Sequence, residues 1–89
     1  MAFSPYRQYG ILAILNARGE IMATITQRLG SRVRRLREQK KMSQLDLSQK
    51  AHLDLTTVNE IENGNREPML RTLWKIANAL EVPLSKLFD

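Results

Sequence analysis

The sequence predicts a mainly α-helical protein of one small domain, in which five helices follow an N-terminal β-hairpin. Two observations favour helices from residue 26 onward: apolar residues recur three and four positions apart, and helix-capping residues separate the apolar stretches. A third observation favours the hairpin, since residues 9–15 and 20–26 are rich in apolar and β-branched residues and flank a turn-like Asn-Ala-Arg-Gly. A chain of 89 residues has room for one core.

The N-terminal extension, residues 1–25, is expected to dimerise the protein. Asn16 can open a type I turn, and Gly19 can take the left-handed position of a bulge. Apolar residues fall on both faces of the first strand, so an isolated hairpin would leave one apolar face in water. We therefore expect the hairpins of two protomers to join in one sheet and form a homodimer. The alternatives are a loose arm and a translation start at Met22.

The remaining residues, 26–89, form the predicted helical domain. Its first helix carries one apolar stripe of Leu29, Val33 and Leu36. Ser43 is predicted to cap a second helix over residues 44–51.

Turn residues divide the rest of the chain into three further helices. Asp54 is predicted to cap the third, over residues 55–63, which Gly64 ends. Pro68 opens the fourth, and Pro83 suits the first turn of a short fifth. The predicted core residues of the last two helices are Leu70, Leu73, Trp74, Ala77, Leu80, Leu84, Leu87 and Phe88.

The charge of the chain favours a polyanionic partner. Lys and Arg number 14 against 9 Asp and Glu, which gives a net charge of +5. Seven of those 14 basic residues lie between residues 28 and 41. Such a concentration is typical of a surface that faces phosphate groups.

Several kinds of chemistry find no support in the composition. Without cysteine and with one histidine, the chain has no disulfide and a poor set of metal ligands, so we expect no metal and no cofactor. No nucleophile, base and orienting group can be identified, so we do not expect an enzyme. The apolar run YGILAIL is too short to span a bilayer, and we expect a cytoplasmic protein with no membrane partner.

Residues 44–63 have the apolar spacing of two short helices that cross at a steep angle. Leu47 and Ala51 lie four apart on the inner face of one helix, and Val58 and Ile61 lie three apart on the inner face of the next. Leu53 fills the corner between them. The outer face of the third helix, residues 55–63, then presents side chains that would face a DNA major groove: Leu55, Thr56, Thr57, Asn59 and Glu60.

One long stretch resembles the phage repressor and Cro type of helix-turn-helix domains: LGSRVRRLREQKKMSQLDLSQKAHLDLTTVNEIENGNREP, followed by LRTLWKIANALEVPLSKLF. The resemblance covers residues 29–88 and leaves residues 1–25 outside. It implies a helix-turn-helix bundle and double-stranded DNA as the partner.

The resemblance also implies roles for single residues. Gln44 matches the glutamine with which the family grips a DNA phosphate, and Ser43 and Asn63 match positions that also tend to touch phosphate. The positions at which the family reads base edges hold Thr56, Thr57, Asn59 and Glu60, and the most exposed of the reading positions holds Leu55.

Two residues depart from the family pattern. His52 occupies the corner position that is usually glycine, so it is expected to adopt a left-handed conformation at a cost of about 1 kcal/mol or more. Leu55 stands where many relatives place a polar or basic residue. An apolar side chain there could contact a thymine methyl group or serve a protein partner.

The third helix and its cap residue carry three acidic side chains, for which we predict separate roles. The Asp54 carboxylate is expected to accept from free backbone N–H groups at the start of the helix. Glu62, by resemblance, pairs with Arg37 inside the domain. Glu60 faces the DNA, where it could accept from a cytosine N4 amino group.

The basic residues allow two interpretations, contact with phosphate or simple solvation on a helix surface. Lys40 and Lys41, just before the helix pair, and Arg66, just after it, are better placed for the DNA backbone than the arginines of the first helix. Arg37 is assigned to the fold.

Together these predictions indicate a sequence-specific transcription regulator that binds a palindromic operator as a dimer. The resemblance implies repression as the commonest consequence, with activation of the promoter as the alternative. A different interpretation is an antitoxin or other interaction module, with a toxin or another regulator as its protein partner. In that case Leu55 and the hairpin would form the partner surface.

Overall fold

The computed structural model describes residues 20–88. Within that range the chain forms four α-helices and a terminal 3₁₀ helix, with no strand. The elements are α1 (Glu20–Gln39), α2 (Gln44–Ala51), α3 (Leu55–Glu62), α4 (Leu70–Leu80) and the 3₁₀ helix Leu84–Phe88. None of the helices in this part of the chain has both the length and the apolar character needed to cross a bilayer.

Helix α1 begins six residues earlier than predicted. The prediction of a hairpin strand over residues 20–26 is wrong, because those residues form the first turns of α1. Tertiary packing outweighs β-propensity here: Thr26 is buried, and its hydroxyl donates to the Gly64 carbonyl at 3.2 Å, which ties α1 to the loop after α3. The other predicted strand, residues 9–15, and its turn lie outside the described residues.

The core lies between all four α-helices and the terminal 3₁₀ helix, each of which contributes buried apolar residues. The stripe predicted for the first helix is confirmed, since Leu29, Val33 and Leu36 are all buried. Gly30 lets α1 approach α3 closely, because a Cβ atom at this position would lie 2.3 Å from the Ile61 carbonyl oxygen. A larger residue would therefore push the two helices apart.

The predicted bounds of α2 are confirmed, and its start is capped as predicted. The Ser43 hydroxyl accepts from the Asp46 N–H at 2.9 Å, and the Asp46 carboxylate accepts from the Ser43 N–H at 2.9 Å. These two bonds form a capping box.

The start of α3 differs from the prediction. Asp54 has the extended backbone of an N-cap, but its side chain makes no capping hydrogen bond. The expectation that the Asp54 carboxylate accepts from the helix N–H groups is therefore wrong. Helix α3 ends at Glu62, one residue earlier than predicted, and Gly64 follows with a φ of 75°.

The C-terminal part of the chain buries fewer apolar residues than predicted. Trp74, Leu70 and Phe88 are 58%, 69% and 57% exposed, so the prediction that they belong to the core is wrong. Only part of the apolar face of α4 packs against the core. The buried residues of this helix are Leu73, Ile76, Ala77, Ala79 and Leu80. Helix α4 begins two residues after Pro68, and the predicted short fifth helix is a 3₁₀ helix that buries Leu87.

Within residues 20–88, three non-glycine residues have a left-handed backbone, each just after a helix: Lys41, His52 and Glu81, with φ of 57°, 56° and 60°. The conformation predicted for His52 is confirmed. Its N–H donates to the Gln49 carbonyl and the Leu53 N–H donates to the Ser48 carbonyl, so two carbonyls in the last turn of α2 are satisfied.

Candidate nucleic-acid interface

Helices α2 and α3 are joined by a corner of three residues and share one apolar interior. Leu47 and Ala51 on α2 and Val58 and Ile61 on α3 are buried, as the spacing predicted. Leu53 packs against this core from the corner. The outer faces of both helices are thereby held in a fixed relation.

The residues predicted to read bases lie on the outward side of α3. Leu55 is 45% exposed, Thr56 and Asn59 are exposed, and Thr57 and Glu60 are half-buried. Ser43 and Asn63 are exposed and Gln44 is half-buried. These side chains are therefore accessible to a ligand that approaches the α2 and α3 pair from outside.

Five side chains form a closed set of hydrogen bonds that we call the polar ring: Gln44, Glu62, Arg34, Asn63 and Asn59. The Gln44 amide donates to Glu62 Oε1 at 2.9 Å and accepts from Asn59 Nδ2 at 3.2 Å. Asn59 in turn accepts from Asn63 Nδ2 at 3.1 Å. Arg34 closes the ring with bonds of 3.4 Å to Asn63 Oδ1 and 3.5 Å to Glu62 Oε1.

The polar ring brings together three residues that were predicted to touch DNA. Gln44 lies at the start of α2, while Asn59 and Asn63 lie one turn apart toward the end of α3. Because each amide both donates and accepts within the ring, its orientation is fixed. The structure thus holds these side chains in one arrangement at one edge of the domain.

Glu62 is the buried centre of this arrangement. Its side chain is 0% exposed, and it accepts from Arg37 Nε at 2.6 Å and Arg37 Nη2 at 2.9 Å. Arg37, 11% exposed, also donates to the Met42 carbonyl at 2.8 Å. The ion pair implied by the resemblance is present, and it joins α1 to α3 and to the turn before α2.

Two opposing influences act on the pKa of Glu62. Burial raises it, but hydrogen bonds from Arg37 and Gln44, together with the charge of Arg37, outweigh burial and leave the pKa below the ordinary glutamate value. The bond to Glu62 likewise raises the pKa of Arg37 above its ordinary value. Both groups are therefore charged at neutral pH.

Glu60 and Arg66 form an ion pair that was not predicted from the sequence. Arg66 Nε donates to Glu60 Oε1 at 2.9 Å, and the two side chains are 47% and 38% exposed. The sequence assigned Glu60 to a base and Arg66 to the DNA backbone. In this structure Glu60 and Arg66 bind each other, so the Arg66 guanidinium partly neutralises the Glu60 carboxylate that was predicted to contact a base.

Sequence reasoning also missed the place of Arg34 in the polar ring and the bond from Gln44 to Glu62. The signal for Arg34 was its spacing of three residues before Arg37, which puts both on neighbouring positions of α1. No such signal existed for the link from Gln44 to Glu62. Among the residues that the structure describes, no group of His, Cys, Asp and Glu could hold a metal ion.

Comparison with known proteins places the chain among helix-turn-helix proteins. Residues 33–87 match the family model described as helix-turn-helix. The chain is 36% identical over 63 residues to an uncharacterised helix-turn-helix-type transcriptional regulator, y4dL, of Sinorhizobium fredii. It is 32% identical over 59 residues to the immunity repressor protein of Bacillus phage phi105, and 38% identical over 69 residues to control protein C.MunI of a Mycoplasma species.

These matches cover 71%, 66% and 76% of this chain. They span 32% and 41% of the first two relatives but 93% of C.MunI, so this chain corresponds to well under half of the two longer proteins. Among solved structures, the restriction-modification controller protein C.AhdI from Aeromonas hydrophila is 35% identical with a TM-score of 0.70, over 71% of this chain and 96% of that chain. The chain therefore belongs to the helix-turn-helix family of the phage repressor and Cro type that its sequence resembles.

Proposed function

We propose that the protein is a sequence-specific transcription regulator that binds double-stranded DNA with the edge formed by α2 and α3. The observation that carries this proposal is the polar ring, in which Gln44, Asn59 and Asn63 lie side by side with fixed amide orientations. Family membership and the names of the regulators, repressor and control protein among its relatives support it.

The DNA backbone is met by the N-terminal end of α2 and the C-terminal end of α3. Gln44 is the first residue of α2, where free backbone N–H groups favour an anion. Asn63 follows α3 and is joined to Gln44 through Asn59. Ser43, exposed beside Gln44, completes the phosphate-binding set, with Arg66 after α3.

Base edges are met by the outward side of α3. Thr56 and Asn59 are exposed, and Leu55 offers an apolar surface suited to a thymine methyl group. Thr57 and Glu60 are half-buried beside them. Glu60 accepts from a cytosine amino group while its other contact, Arg66, remains available to a nearby phosphate.

The protein acts as a dimer on a palindromic operator, so that two copies of α3 enter successive major grooves. The surface that joins the protomers is formed by Leu70, Trp74 and Leu84, which lie together on α4 and the 3₁₀ helix and which we call the apolar surface. Large exposed apolar side chains at neighbouring positions mark an interaction site. The operator lies at a promoter and repression follows from blocked access of polymerase.

Selection of bound sequences from a random duplex pool, at two salt concentrations, tests the proposed function. Enrichment of a palindrome with a steep loss of affinity at the higher salt is the expected result. Weak binding without any enriched sequence would contradict it and favour a protein-interaction role, as in an antitoxin. Enrichment of a palindrome would indicate that the protein binds as a dimer, whereas enrichment of a single half-site would refute the proposed dimer.

The mass of the protein in solution tests the apolar surface. Leu70→Glu places a charge in this surface and is expected to give the protomer mass by light scattering, where the unchanged protein gives the dimer mass. Leu45→Glu is the matched control, since Leu45 is an exposed leucine on α2. Dimer mass in Leu70→Glu, or equal loss of dimer in both variants, would refute this interface.

A further inference from the structure

Arg34 is the most weakly held member of the polar ring, because both of its hydrogen bonds within the ring are long. Its guanidinium lies 3.5 Å from Glu62 Oε1 and 3.4 Å from Asn63 Oδ1, and the side chain is 48% exposed. By comparison, the bonds from Arg37 to Glu62 are 2.6 and 2.9 Å and nearly buried. Long, exposed contacts are weak, so the Arg34 head group can exchange them for a better acceptor.

The charge of Arg34 is not required to balance Glu62. One carboxylate charge is met by the two short bonds of Arg37, and a third short bond comes from the Gln44 amide at 2.9 Å. With Glu62 satisfied by Arg37 and Gln44, Arg34 adds a surplus positive charge to the edge of the domain.

That surplus charge lies beside the residues proposed to meet the DNA backbone. The Arg34 head group is within hydrogen-bond distance of the Asn63 side chain and shares Glu62 with Gln44. A guanidinium offers a planar fork of N–H donors that matches two oxygens of one phosphate. A neutral amide such as Asn63 contributes a bond but no charge.

We infer that Arg34 is a further DNA contact, which leaves Glu62 and Asn63 and binds a backbone phosphate next to the one met by Asn63. This inference rests on the proposed function, because it names an additional residue of the same interface. It predicts that a residue of α1, outside the helix pair, supplies a charged contact. Its contribution is the same for every DNA sequence, since phosphates carry no base identity.

The neighbouring residue provides a matched control. Arg35 is also exposed and carries the same charge, but it lies about 100° around α1 from Arg34. The experiment measures the affinity of unchanged protein, Arg34→Ala, Arg34→Lys and Arg35→Ala for one enriched duplex and one unrelated duplex over a series of salt concentrations. Thermal unfolding of each variant shows that it is folded at the temperature used.

Loss of one phosphate contact reduces the slope of log affinity against log salt by about 0.9. We expect Arg34→Ala to show this reduction on both duplexes, Arg35→Ala to keep the slope of the unchanged protein, and Arg34→Lys to restore most of it. Equal slopes for Arg34→Ala and Arg35→Ala, or an unchanged slope in Arg34→Ala, would overturn the assignment while leaving the proposed function intact. If the unchanged protein binds neither duplex, the proposed function is refuted, and with it the assignment of Arg34 as a DNA contact.

Discussion

Two surfaces of this small domain are organised in opposite ways. The polar ring occupies the edge of α2 and α3, where side chains are tied to one another and to a buried ion pair. The apolar surface lies on α4 and the terminal 3₁₀ helix, where Trp74 and its neighbours are exposed to solvent. The side chains of the polar ring satisfy one another's hydrogen-bonding groups, whereas the apolar surface is not covered by any of the described residues.

The two surfaces require different support from the fold. A polar surface that must meet a ligand in one geometry needs supporting bonds, because unsupported amides lose conformational entropy on binding. An apolar surface needs no such support, since the hydrophobic effect is non-directional. Substitutions at the polar edge should therefore cost folding stability, and substitutions at the apolar surface should not.

The largest effect is expected at the buried ion pair that supports the polar ring. Arg37→Ala leaves the Glu62 carboxylate buried without its counter-charge, and removal of one partner of a buried pair typically costs about 3–5 kcal/mol. Urea unfolding of Arg37→Ala and of the exposed control Arg35→Ala measures this cost. Equal stability in the two variants would show that the pair does not support the fold.

A second effect depends on pH. Glu62→Gln keeps the shape of the side chain but removes its charge, at a cost near neutral pH of about 1.5–3 kcal/mol, the value of hydrogen bonds to a charged group. Because the pKa of Glu62 is lowered in the folded state, its charge stabilises the fold above the unfolded-state pKa and ceases to do so as pH falls through the folded-state pKa.

The difference in unfolding free energy between the unchanged protein and Glu62→Gln should therefore be constant near neutral pH. It should shrink once the pH falls below about 4.3, the pKa of an unfolded glutamate. Unfolding curves recorded at several pH values provide the measurement. A difference that stays the same down to strongly acidic pH would mean that the ion pair does not stabilise the folded state.

A smaller effect is expected at the helix starts. Ser43 makes the capping bond of α2 and Asp54 makes none for α3, so Ser43→Ala should cost about 1 kcal/mol and Asp54→Ala a few tenths. Chemical unfolding of the two variants distinguishes them. A larger loss in Asp54→Ala than in Ser43→Ala would contradict the capping geometry.

The smallest effect is expected at the apolar surface. Leu70 is 69% exposed, so Leu70→Ala removes little buried area and should change the stability of the dilute protomer by less than about 0.5 kcal/mol. Thermal unfolding at low protein concentration measures it. A loss comparable to that of Arg37→Ala would mean that Leu70 belongs to the core after all.

The sequence predicted the helix pair well because its signals are local. The Ser43 cap and the buried faces of α2 and α3 follow from residues within one or two turns, whereas the left-handed His52 was implied by the glycine usual at this corner of the family. The family resemblance added the long-range pair of Arg37 and Glu62, which spacing cannot give.

The predictions from sequence were wrong where the same local pattern is compatible with two structures. Apolar residues on one face of a helix can meet the core or the exterior, and the Trp74 side of α4 is exposed. Residues 20–25 include β-branched residues, which occur in strands and in helices. In the structure these residues are helical, and Thr26, the next residue, is hydrogen-bonded to the Gly64 carbonyl. The polar ring joins three helices, so its bonds depend on tertiary geometry that no spacing records.

The most direct test of the DNA-binding edge compares two glutamines of α2. Gln44 belongs to the polar ring, while Gln49 is exposed further along the same helix. Affinities of Gln44→Ala and Gln49→Ala for an enriched duplex and for an unrelated duplex are measured at one salt concentration. We predict that Gln44→Ala weakens binding to both duplexes by about tenfold or more, the value of a hydrogen bond to a charged group, and that Gln49→Ala changes neither. Equal affinities in the two variants would contradict the proposal that this edge binds DNA.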